Sequence, residues 1–413
     1  METQLFQNLS LIKKDRACVW HPFTQVQTAR DPIPIIRAKG IYLYAEDGSR
    51  YMDGISSWWV NLHGHAHPYI VDAIKKQAGV LEHAIFAGFT HTPAVELASR
   101  LLKILPGNMS KVFYSDNGST AVEAALKMAL QYWHNLKTPK TKIIGFKQGY
   151  HGDTFGAMSS AGKNGFNRPF WSHLFDVESI MPPIRGQEEA SLTYLKAILE
   201  KGDVACFIFE PLILGAGGMI MYSPEGLNQL IQCCKQYGVL TIADEVMTGF
   251  GRTGTLFACD QLNQNPDLIC LSKGITGGYL PLGATVCTEE VYRAFLSDDL
   301  SQAFLHGHSY TANPLACSSA LASLDLLLGN NCSEQRMGIK NCHEQFSALW
   351  GTHPKLKRCE ILGTILALEY RTEGDSYFQP LRDRLYDFFF SKGILLRPLG
   401  NVLYVINAAE VVF

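Results

Sequence analysis

The amino-acid sequence predicts an α/β protein built on a mostly parallel central sheet. Two short apolar runs, Val239 to Ala243 and Leu268 to Leu271, are bounded in the way that buried parallel strands are. Stretches with helical periodicity alternate with such runs along the chain, which favours right-handed crossovers between parallel strands. The length of 413 residues is enough for two domains or for one elaborated domain.

Each of the two apolar runs leads to a charged residue. Asp244 follows the first run, and Lys273 follows the second run after Ser272. In open α/β sheets, ligands bind beyond the carboxyl ends of the strands. A lysine at that edge can bond covalently to an aldehyde cofactor, and an aspartate can pair with the protonated pyridine nitrogen of the same cofactor. The pair therefore indicates pyridoxal 5'-phosphate, although charged residues that only cap strand ends would give the same pattern.

A candidate phosphate site lies where a predicted strand meets a helix. The turn from Asp116 to Thr120 contains Gly118 and Ser119 and opens the helix. The free N–H groups and the dipole of a helix N-terminus favour a phosphate, but serine and threonine are also ordinary helix caps. A glycine-rich turn at 148–154 carries Tyr150. It suits a loop that lays an aromatic ring over a flat cofactor, and a surface turn fits the pattern as well.

Turn residues and apolar periodicity predict the remaining elements. Predicted strands lie at residues 41–44, 50–53, 111–115, 143–146, 205–209, 284–287, 394–397 and 402–406, with a strand pair between 355 and 370. Predicted helices lie at 68–82, 93–105, 225–237, 314–328, 334–350 and 380–391, besides the helix that Gly118 opens. The pattern changes near residue 330, which favours a second, smaller α/β domain.

Two adjacent tryptophans, Trp58 and Trp59, lie in a stretch that we interpret as extended. Neighbouring side chains of an extended chain face opposite sides, so the two rings cannot both point into one core. At least one of them is expected to line a cleft or a subunit contact. His63, His65 and His67 follow. Without an acidic partner or a regular ligand spacing, these histidines favour turn or interface roles over a metal site.

The composition argues against several classes of function. The formal net charge is -2, which indicates neither nucleic acid nor a membrane surface as a partner. The first residues have no continuous apolar core, so we expect no signal peptide, and no apolar run approaches the length of a transmembrane helix. The 11 cysteines show no CxxC spacing. This argues against a zinc site and favours reduced thiols in the cytoplasm.

Together, these segments resemble the class III aminotransferases, which are fold-type I enzymes that depend on pyridoxal 5'-phosphate. The matching stretches are VWHPFTQ (19–25), DGISSWWVNLHGHAHP (53–68), NGSTAVEAALKMALQYW (117–133), GYHGDTFGAMS (149–159), EPLILGAGGM (210–219), IADEVMTGFGRTGTLFAC (242–259), LSKGITGG (271–278) and NPLACS (313–318). They cover nearly the whole chain. The resemblance implies a large cofactor-binding domain at residues 61–315. It also implies a small α/β domain built from residues 1–60 and 316–413, with a shortened end.

The resemblance also implies roles for residues around the cofactor. Lys273 would bond to the cofactor and move the substrate proton, Asp244 would hold the pyridine nitrogen protonated, and Tyr150 would stack on the ring. Ser309 would reach the phosphate from the partner subunit, so the resemblance implies a homodimer with active sites at the interface. The implied cofactor-binding residues are Gly118, Ser119, Tyr150, Asp244, Val246, Lys273, His308 and Ser309.

The WHP segment and the two-tryptophan stretch are specific to a branch of the family that works in biotin biosynthesis. This branch implies two small-molecule substrates, S-adenosylmethionine as the amino donor and 8-amino-7-oxononanoate as the acceptor. Arg397 would bind the carboxylate of the keto acid, because a planar guanidinium suits two-point contact. Arg252 would lie near the donor. The implied substrate-binding residues are Trp58, Tyr150, Arg252, Lys273, Gly307 and Arg397.

Two other interpretations stay open at the level of the sequence. The donor could be lysine or another ω-amine, and Phe23, which stands where the family has a tyrosine, mildly favours this. The chain could also be a relative that binds pyridoxal phosphate with impaired catalysis, because the family continues past 402–406 with a final helix that we do not expect here. The intact Lys273, Asp244, Ser119 and Tyr150 argue against that second alternative.

Overall fold

A seven-stranded sheet forms the centre of the computed structural model, which describes residues 9–372 and 380–406. The strands lie side by side in the order Met109–Ser115, Gly283–Thr288, Leu268–Leu271, Leu240–Asp244, Val204–Phe209, Lys142–Phe146 and Glu178–Ile180. Six of these seven strands run in one direction, and Gly283–Thr288 is antiparallel to both of its neighbours. The prediction of a mostly parallel sheet is confirmed.

The apolar runs form strands because both faces of this sheet are covered. Every residue of Val204–Phe209 is buried. Phe207 and Phe209 pack into one apolar cluster, while the alternating Cys206 and Ile208 pack into a second cluster on the opposite face. Burial on both sides explains why these strands read as continuous apolar segments and not as an alternation of apolar and polar residues.

Helices cover both faces of the central sheet. Gly118–Asn135 buries its apolar stripe against the face that contains Cys206. Thr92–Ile104, Pro224–Gln236 and Pro314–Leu327 pack on the opposite face. The further α-helices of the described chain are Leu11–Cys18, Pro68–Ala78, Phe155–Ser160, Glu188–Leu199, Glu289–Arg293, Asn330–Trp350 and Pro380–Phe390. Short 3-10 helices span Arg168–Phe170, Ala258–Gln261, Lys273–Thr276 and Leu300–Gln302.

Three smaller sheets flank the central one. A four-stranded sheet contains Ile35–Lys39, Tyr42–Ala45, Arg50–Asp53 and Ile394–Leu395. A three-stranded sheet contains Leu356–Leu362, Ile365–Tyr370 and Val402–Ile406, and a two-stranded one contains Ile213–Leu214 and Ile220–Met221. In the first of these sheets Ile394 pairs with Met52. Strands from early and late in the chain therefore share one sheet.

The predicted domain bounds remain a proposal, and packing bears on one of them. The predicted boundary at 315/316 falls inside the helix Pro314–Leu327, whose Ala316 and Ala320 lie in the apolar core of the central sheet. A helix packed into that core belongs physically to the large unit. We therefore propose that the large domain extends at least to the end of this helix.

The segment Ser56–Trp59 differs from its prediction. It is one turn of left-handed helical backbone, in which Ser56, Ser57, Trp58 and Trp59 all have positive φ, between 45° and 74°. The prediction of an extended segment is wrong. Left-handed backbone costs a non-glycine residue about 1–2 kcal/mol, so no local sequence pattern favours it. Contacts with distant parts of the chain must select this conformation.

Other predicted elements differ only in their bounds. The helix predicted at 68–82 ends at Ala78, and the strand predicted at 394–397 spans only Ile394–Leu395. The expected loss of a final helix concerns residues 407–413, which lie outside the described residues. Within residues 9–372 and 380–406, no helix is long and apolar enough to cross a membrane. The same part of the chain contains no group of three or more His, Cys, Asp or Glu arranged to hold a metal ion.

Candidate active site

A cavity of about 490 Å³ opens at the carboxyl edge of the central sheet. This volume suits a small organic ligand, and the position is the one at which open α/β sheets bind ligands. Its lining residues are Trp59, Val60, Asn117, Gly118, Ser119, Tyr150, His151, Gly152, Glu210, Asp244, Val246, Met247, Ser272, Lys273, Thr276, Gly278, Tyr279, Leu280, Pro281 and Leu282.

Two neighbouring parallel strands bring Asp244 and Lys273 to this cavity. Leu240–Asp244 pairs with Leu268–Leu271 in a register that sets Asp244 opposite Cys270. Lys273 follows three residues after Cys270 and opens a 3-10 helix with a φ of 46°. The strained backbone turns the chain immediately after the strand. Both residues therefore reach the cavity because their strands are adjacent and end at the same edge.

The Asp244 carboxylate has two partners in the protein. Its Oδ2 atom lies 2.7 Å from Nδ1 of His151, and its Oδ1 atom accepts a hydrogen bond of 3.1 Å from the backbone N–H of Val246. Burial lowers the pKa of His151, but the hydrogen bond and the charge of Asp244 outweigh burial, so the pKa lies above its ordinary value. The resulting charged pair fixes the orientation of the carboxylate.

The Lys273 amine lies in an environment that favours its neutral form. Burial lowers the pKa of Lys273 to about 8, although the charges of Asp244 and Glu210 act in the opposite direction. The Nζ atom lies 4.4 Å from the centroid of the Trp59 ring. A lysine with a lowered pKa is a competent nucleophile toward an aldehyde and a competent proton carrier near neutral pH.

The N-terminus of the helix Gly118–Asn135 forms an anion cradle beside these residues. Asn117 caps the helix in a capping box with Thr120, and Ser119 Oγ accepts a hydrogen bond of 3.2 Å from the backbone N–H of Asp153. A Cβ atom on Gly118 would lie 2.7 Å from Val246 Cγ1. The absence of a side chain at Gly118 therefore leaves the helix start open next to Val246, which suits a phosphate.

Glu210 joins two loops that border the cavity. Its Oε1 atom accepts a hydrogen bond of 2.9 Å from the backbone N–H of Tyr150, and its Oε2 atom accepts one of 2.9 Å from Gly215. Burial raises the pKa of Glu210 to about 7. The Tyr150 hydroxyl donates to Asp153 at 3.0 Å. Tyr150 is thus held at its backbone and at its hydroxyl.

The structure gathers half of the predicted site residues around the cavity. Gly118, Ser119, Tyr150, Asp244, Val246 and Lys273 line it. The predicted residues that do not line it are Trp58, Arg252, Gly307, His308, Ser309 and Arg397.

Each of these six residues has another environment within the single chain. Arg397 lies over the Trp58 ring, with Cζ 4.4 Å from the ring centroid. Arg252 is buried, and its guanidinium donates to the carbonyl oxygens of Trp59 and Asn61. Gly307, His308 and Ser309 form a loop in which the two outer residues are exposed.

Fourteen of the twenty lining residues were not predicted. Three of them, Trp59, His151 and Glu210, contact predicted site residues. Glu210 follows the strand Val204–Phe209 at the same edge as Asp244, so the argument that selected Asp244 could have selected it. His151 is adjacent to Tyr150, but the sequence gives no sign of its pairing with Asp244. The choice of Trp58 over Trp59 could not be corrected from sequence, because it depends on the left-handed turn.

The residues that surround the cavity fit pyridoxal 5'-phosphate. An amine, a fixed carboxylate, an open helix N-terminus and an aromatic loop match the aldehyde, the pyridine nitrogen, the phosphate and the ring. The central sheet with helices on both faces is that of the fold-type I enzymes. The fold and the site together define a pyridoxal phosphate-dependent enzyme of fold type I.

Comparison with known proteins identifies the family. The model of the family Aminotransferase class-III matches residues 24–411. A relative from Synechococcus elongatus, named adenosylmethionine-8-amino-7-oxononanoate aminotransferase, is 51% identical over 94% of this chain and 93% of its own length. The chain belongs to the class-III aminotransferases, and pyridoxal 5'-phosphate is its cofactor.

Solved structures agree with this assignment. The crystal structure of adenosylmethionine-8-amino-7-oxononanoate aminotransferase from Methanocaldococcus jannaschii has a TM-score of 0.92 and 36% identity, with 100% of this chain and 95% of that chain covered. An amine transaminase from an uncultivated Pseudomonas species, in its pyridoxal phosphate-bound form, has a TM-score of 0.88 and 29% identity, with 95% and 94% covered.

Proposed function

We propose that this aminotransferase transfers the amino group of S-adenosylmethionine to 8-amino-7-oxononanoate, which gives 7,8-diaminononanoate in biotin biosynthesis. The observation that carries this choice of substrate is the 51% identity, over 94% of the chain, to a relative named for that reaction. The cavity supports the reaction type, because it holds a lysine, a paired aspartate and an anion cradle at one edge of the sheet. A transamination in two halves, with the same groups used twice, follows from this arrangement.

The residues of the cavity have distinct tasks in this proposal. The bound cofactor supplies an electron sink for the charge that is left when a substrate C–H bond breaks. Lys273 Nζ accepts that proton and delivers it again, and its pKa of about 8 suits a proton carrier near neutral pH. Asp244 holds a proton at the pyridine nitrogen, and its bond to His151 keeps the carboxylate in place. Ser119 and Gly118 hold the phosphate at the helix start.

Substrate recognition is proposed for Arg397, Tyr150 and Arg252. Arg397 is only partly buried and lies over the Trp58 ring, so its guanidinium is held flat and can pair with the carboxylate of the keto acid. Tyr150 lines the cavity itself. Arg252 stays proposed as a residue near the donor, and within this chain its guanidinium donates to the carbonyl oxygens of Trp59 and Asn61.

We also propose that the active form is a cytoplasmic homodimer. Gly307 and Ser309 are exposed, and His308 lies 3.5 Å from Asp116 next to the helix that opens at Gly118. An exposed loop beside the anion cradle is positioned to complete the site of a second copy. The eleven cysteines are all free thiols within the described chain, which supports a reducing compartment.

A half-reaction absorbance scan of the purified, cofactor-loaded protein tests the function. A productive donor converts the cofactor to its amine form and removes the visible absorbance band. S-adenosylmethionine, lysine and a simple ω-amine are added separately. We expect S-adenosylmethionine to remove the band and 8-amino-7-oxononanoate to restore it.

The control is Lys273→Ala, which should carry no cofactor after borohydride reduction, because the trapped bond requires the Nζ atom. Loss of the band with lysine alone would support the same acceptor and pathway, with lysine in place of S-adenosylmethionine as the donor. Loss with the ω-amine alone would reject the proposed substrates. A band that no donor removes would reject the proposed activity while leaving the cofactor assignment intact.

A further inference from the structure

The left-handed turn at Ser56–Trp59 is an unusual conformation to find beside an active site. Four successive non-glycine residues adopt positive φ, a conformation that the Cβ atom makes unfavourable relative to right-handed backbone. Such strain persists only where surrounding contacts determine it. The contacts that hold this turn are therefore informative about what the turn does.

One anchor is a polar cluster beneath the turn, composed of Asp53, Ser57 and His65. Asp53 is 4% exposed, and its Oδ2 atom accepts hydrogen bonds from Ser57 Oγ at 2.7 Å and from His65 Nε2 at 3.0 Å. Burial alone would raise the pKa of Asp53, but the hydrogen bonds of His65 and Ser57 outweigh burial and lower it. A buried, ionised carboxylate thus holds the side chain of the second strained residue.

The two ends of the turn are held by a distant strand and by Arg252. Arg252 donates to the carbonyl oxygen of Asn61 at 2.6 Å and to that of Trp59 at 3.3 Å. Ser56 Oγ donates to the carbonyl oxygen of Ile406 at 2.9 Å. The polar cluster and these contacts together hold the turn at Ser56, Ser57 and Trp59.

The turn delivers two adjacent tryptophans to two different cations. The Trp59 ring lies 4.4 Å from Lys273 Nζ and packs edge-on against Tyr404. The Trp58 ring lies 4.4 Å from Arg397 Cζ and contacts Phe23. Extended backbone would send the two rings to opposite faces. The left-handed backbone instead sets Trp59 against Lys273 and Trp58 against Arg397.

We propose that Asp53, Ser57 and His65 are positioning residues of this enzyme. They hold the left-handed turn, and through it they set Trp59 against Lys273 and Trp58 against Arg397. Asp53, Ser57 and His65 lie outside the cavity lining, so their effect on the reaction passes through the two rings. This role in the two half-reactions rests on the proposed function, whereas the placement of Trp59 beside Lys273 does not.

The test compares Ser57→Ala with Ser57→Gly. Alanine removes the hydroxyl anchor and keeps the cost of positive φ, so the turn should relax and both rings should move. Glycine removes the same hydroxyl but adopts positive φ freely, so the turn should largely persist. Ser110→Ala is the matched control, because Ser110 Oγ also donates to a carboxylate, Glu289, in an ordinary strand.

The main readout is the pH midpoint of the visible absorbance band of the cofactor-loaded protein. The Trp59 face stabilises positive charge at Lys273 through a cation–π contact. Ser57→Ala should therefore lower the midpoint by about 0.5–1 unit. The charged groups that act on Lys273 are Asp244, Glu210 and Arg252, and the substitution replaces none of them. Near-ultraviolet circular dichroism of the cofactor-free protein should change as well, since a rigid tryptophan pair contributes to it.

Kinetics separate positioning from a general loss of stability. Ser57→Ala should slow both half-reactions by about tenfold or more, Ser57→Gly should recover most of this loss, and Ser110→Ala should match the wild type. Unchanged midpoint and rates in Ser57→Ala would overturn the proposal, as would a Ser57→Gly protein as impaired as Ser57→Ala. If Ser57→Ala does not fold, His65→Gln gives the same decision. A wild type that no donor converts would reject the proposed function, while the midpoint comparison would still decide the positioning role.

Discussion

His151 Nδ1 lies 2.7 Å from Asp244 Oδ2, and both side chains are almost fully buried, with exposed fractions of 1% and 5%. A protonated imidazole beneath the carboxylate completes a charged pair at the end of a core strand. The pair extends from the loop that carries Tyr150 to the edge that carries Lys273, so it connects the two halves of the cavity wall.

Replacing His151 tests this pair. His151→Asn keeps a hydrogen-bond donor near the carboxylate but removes the positive charge. A charged hydrogen bond contributes about 1.5–3 kcal/mol, so we expect both half-reactions to slow by roughly 10- to 100-fold. Stopped-flow absorbance with each substrate measures this. His173→Asn, at an exposed residue in a turn, is the control, and equal rates in the two variants would contradict the role of the pair.

Lys273 should become reactive at a lower pH than an exposed lysine does. Burial lowers its pKa from 10.5 to about 8, so the cofactor-free folded protein binds fewer protons than the unfolded chain between these values. This group therefore adds stability as the pH rises from 8 to 10.5. The rate of borohydride-trapped capture of pyridoxal should rise with a midpoint near 8. Because Asp244 raises the pKa of Lys273, Asp244→Asn should move the midpoint lower, and an upward shift would refute this account.

Glu210 should make stability fall between mildly acidic and neutral pH. Its pKa is raised from 4.5 to about 7, so the folded protein binds more protons than the unfolded chain in that window. The contribution of this group is fully present below pH 4.5 and is lost as the pH rises to about 7. The glutamine of Glu210→Gln cannot titrate, so the Tm of the variant should vary less between pH 5 and 7.5. The free energy of unfolding should also fall by about 1–2 kcal/mol, because an amide cannot accept hydrogen bonds from both backbone N–H groups. An unchanged pH profile of Tm would argue against the raised pKa.

Arg397 should affect one substrate more than the other. Arg397→Ala should raise the KM for 8-amino-7-oxononanoate by roughly 10- to 100-fold, because the variant loses a charged hydrogen bond to the carboxylate. The KM for the donor should change much less. Arg397→Lys should not restore the affinity, because an ammonium cannot make a planar two-point contact. Arg37, which lies 3.5 Å over the Tyr44 ring, gives a stacked-arginine control away from the cavity. Equal effects on both substrates would reject the assigned role.

The sequence predicted those parts of the fold and the site that depend on local patterns. Asp244 and Lys273 follow short apolar runs, and parallel strands that end at one edge must bring such residues together. The turn at Ser56–Trp59 could not be predicted, because Arg252, Asp53 and Ile406 select it against the local backbone preference. The pairing of His151 with Asp244 likewise joins residues that are 93 positions apart.

The hydrogen bond from Ser56 to Ile406 joins residues that are 350 positions apart in the chain. Ribosomes make the tryptophan segment well before the strand Val402–Ile406. The nascent chain must therefore carry the tryptophan segment without this contact until the later strand has been made. The order of synthesis separates the chemistry-bearing strands of the central sheet from the last contact that holds the turn.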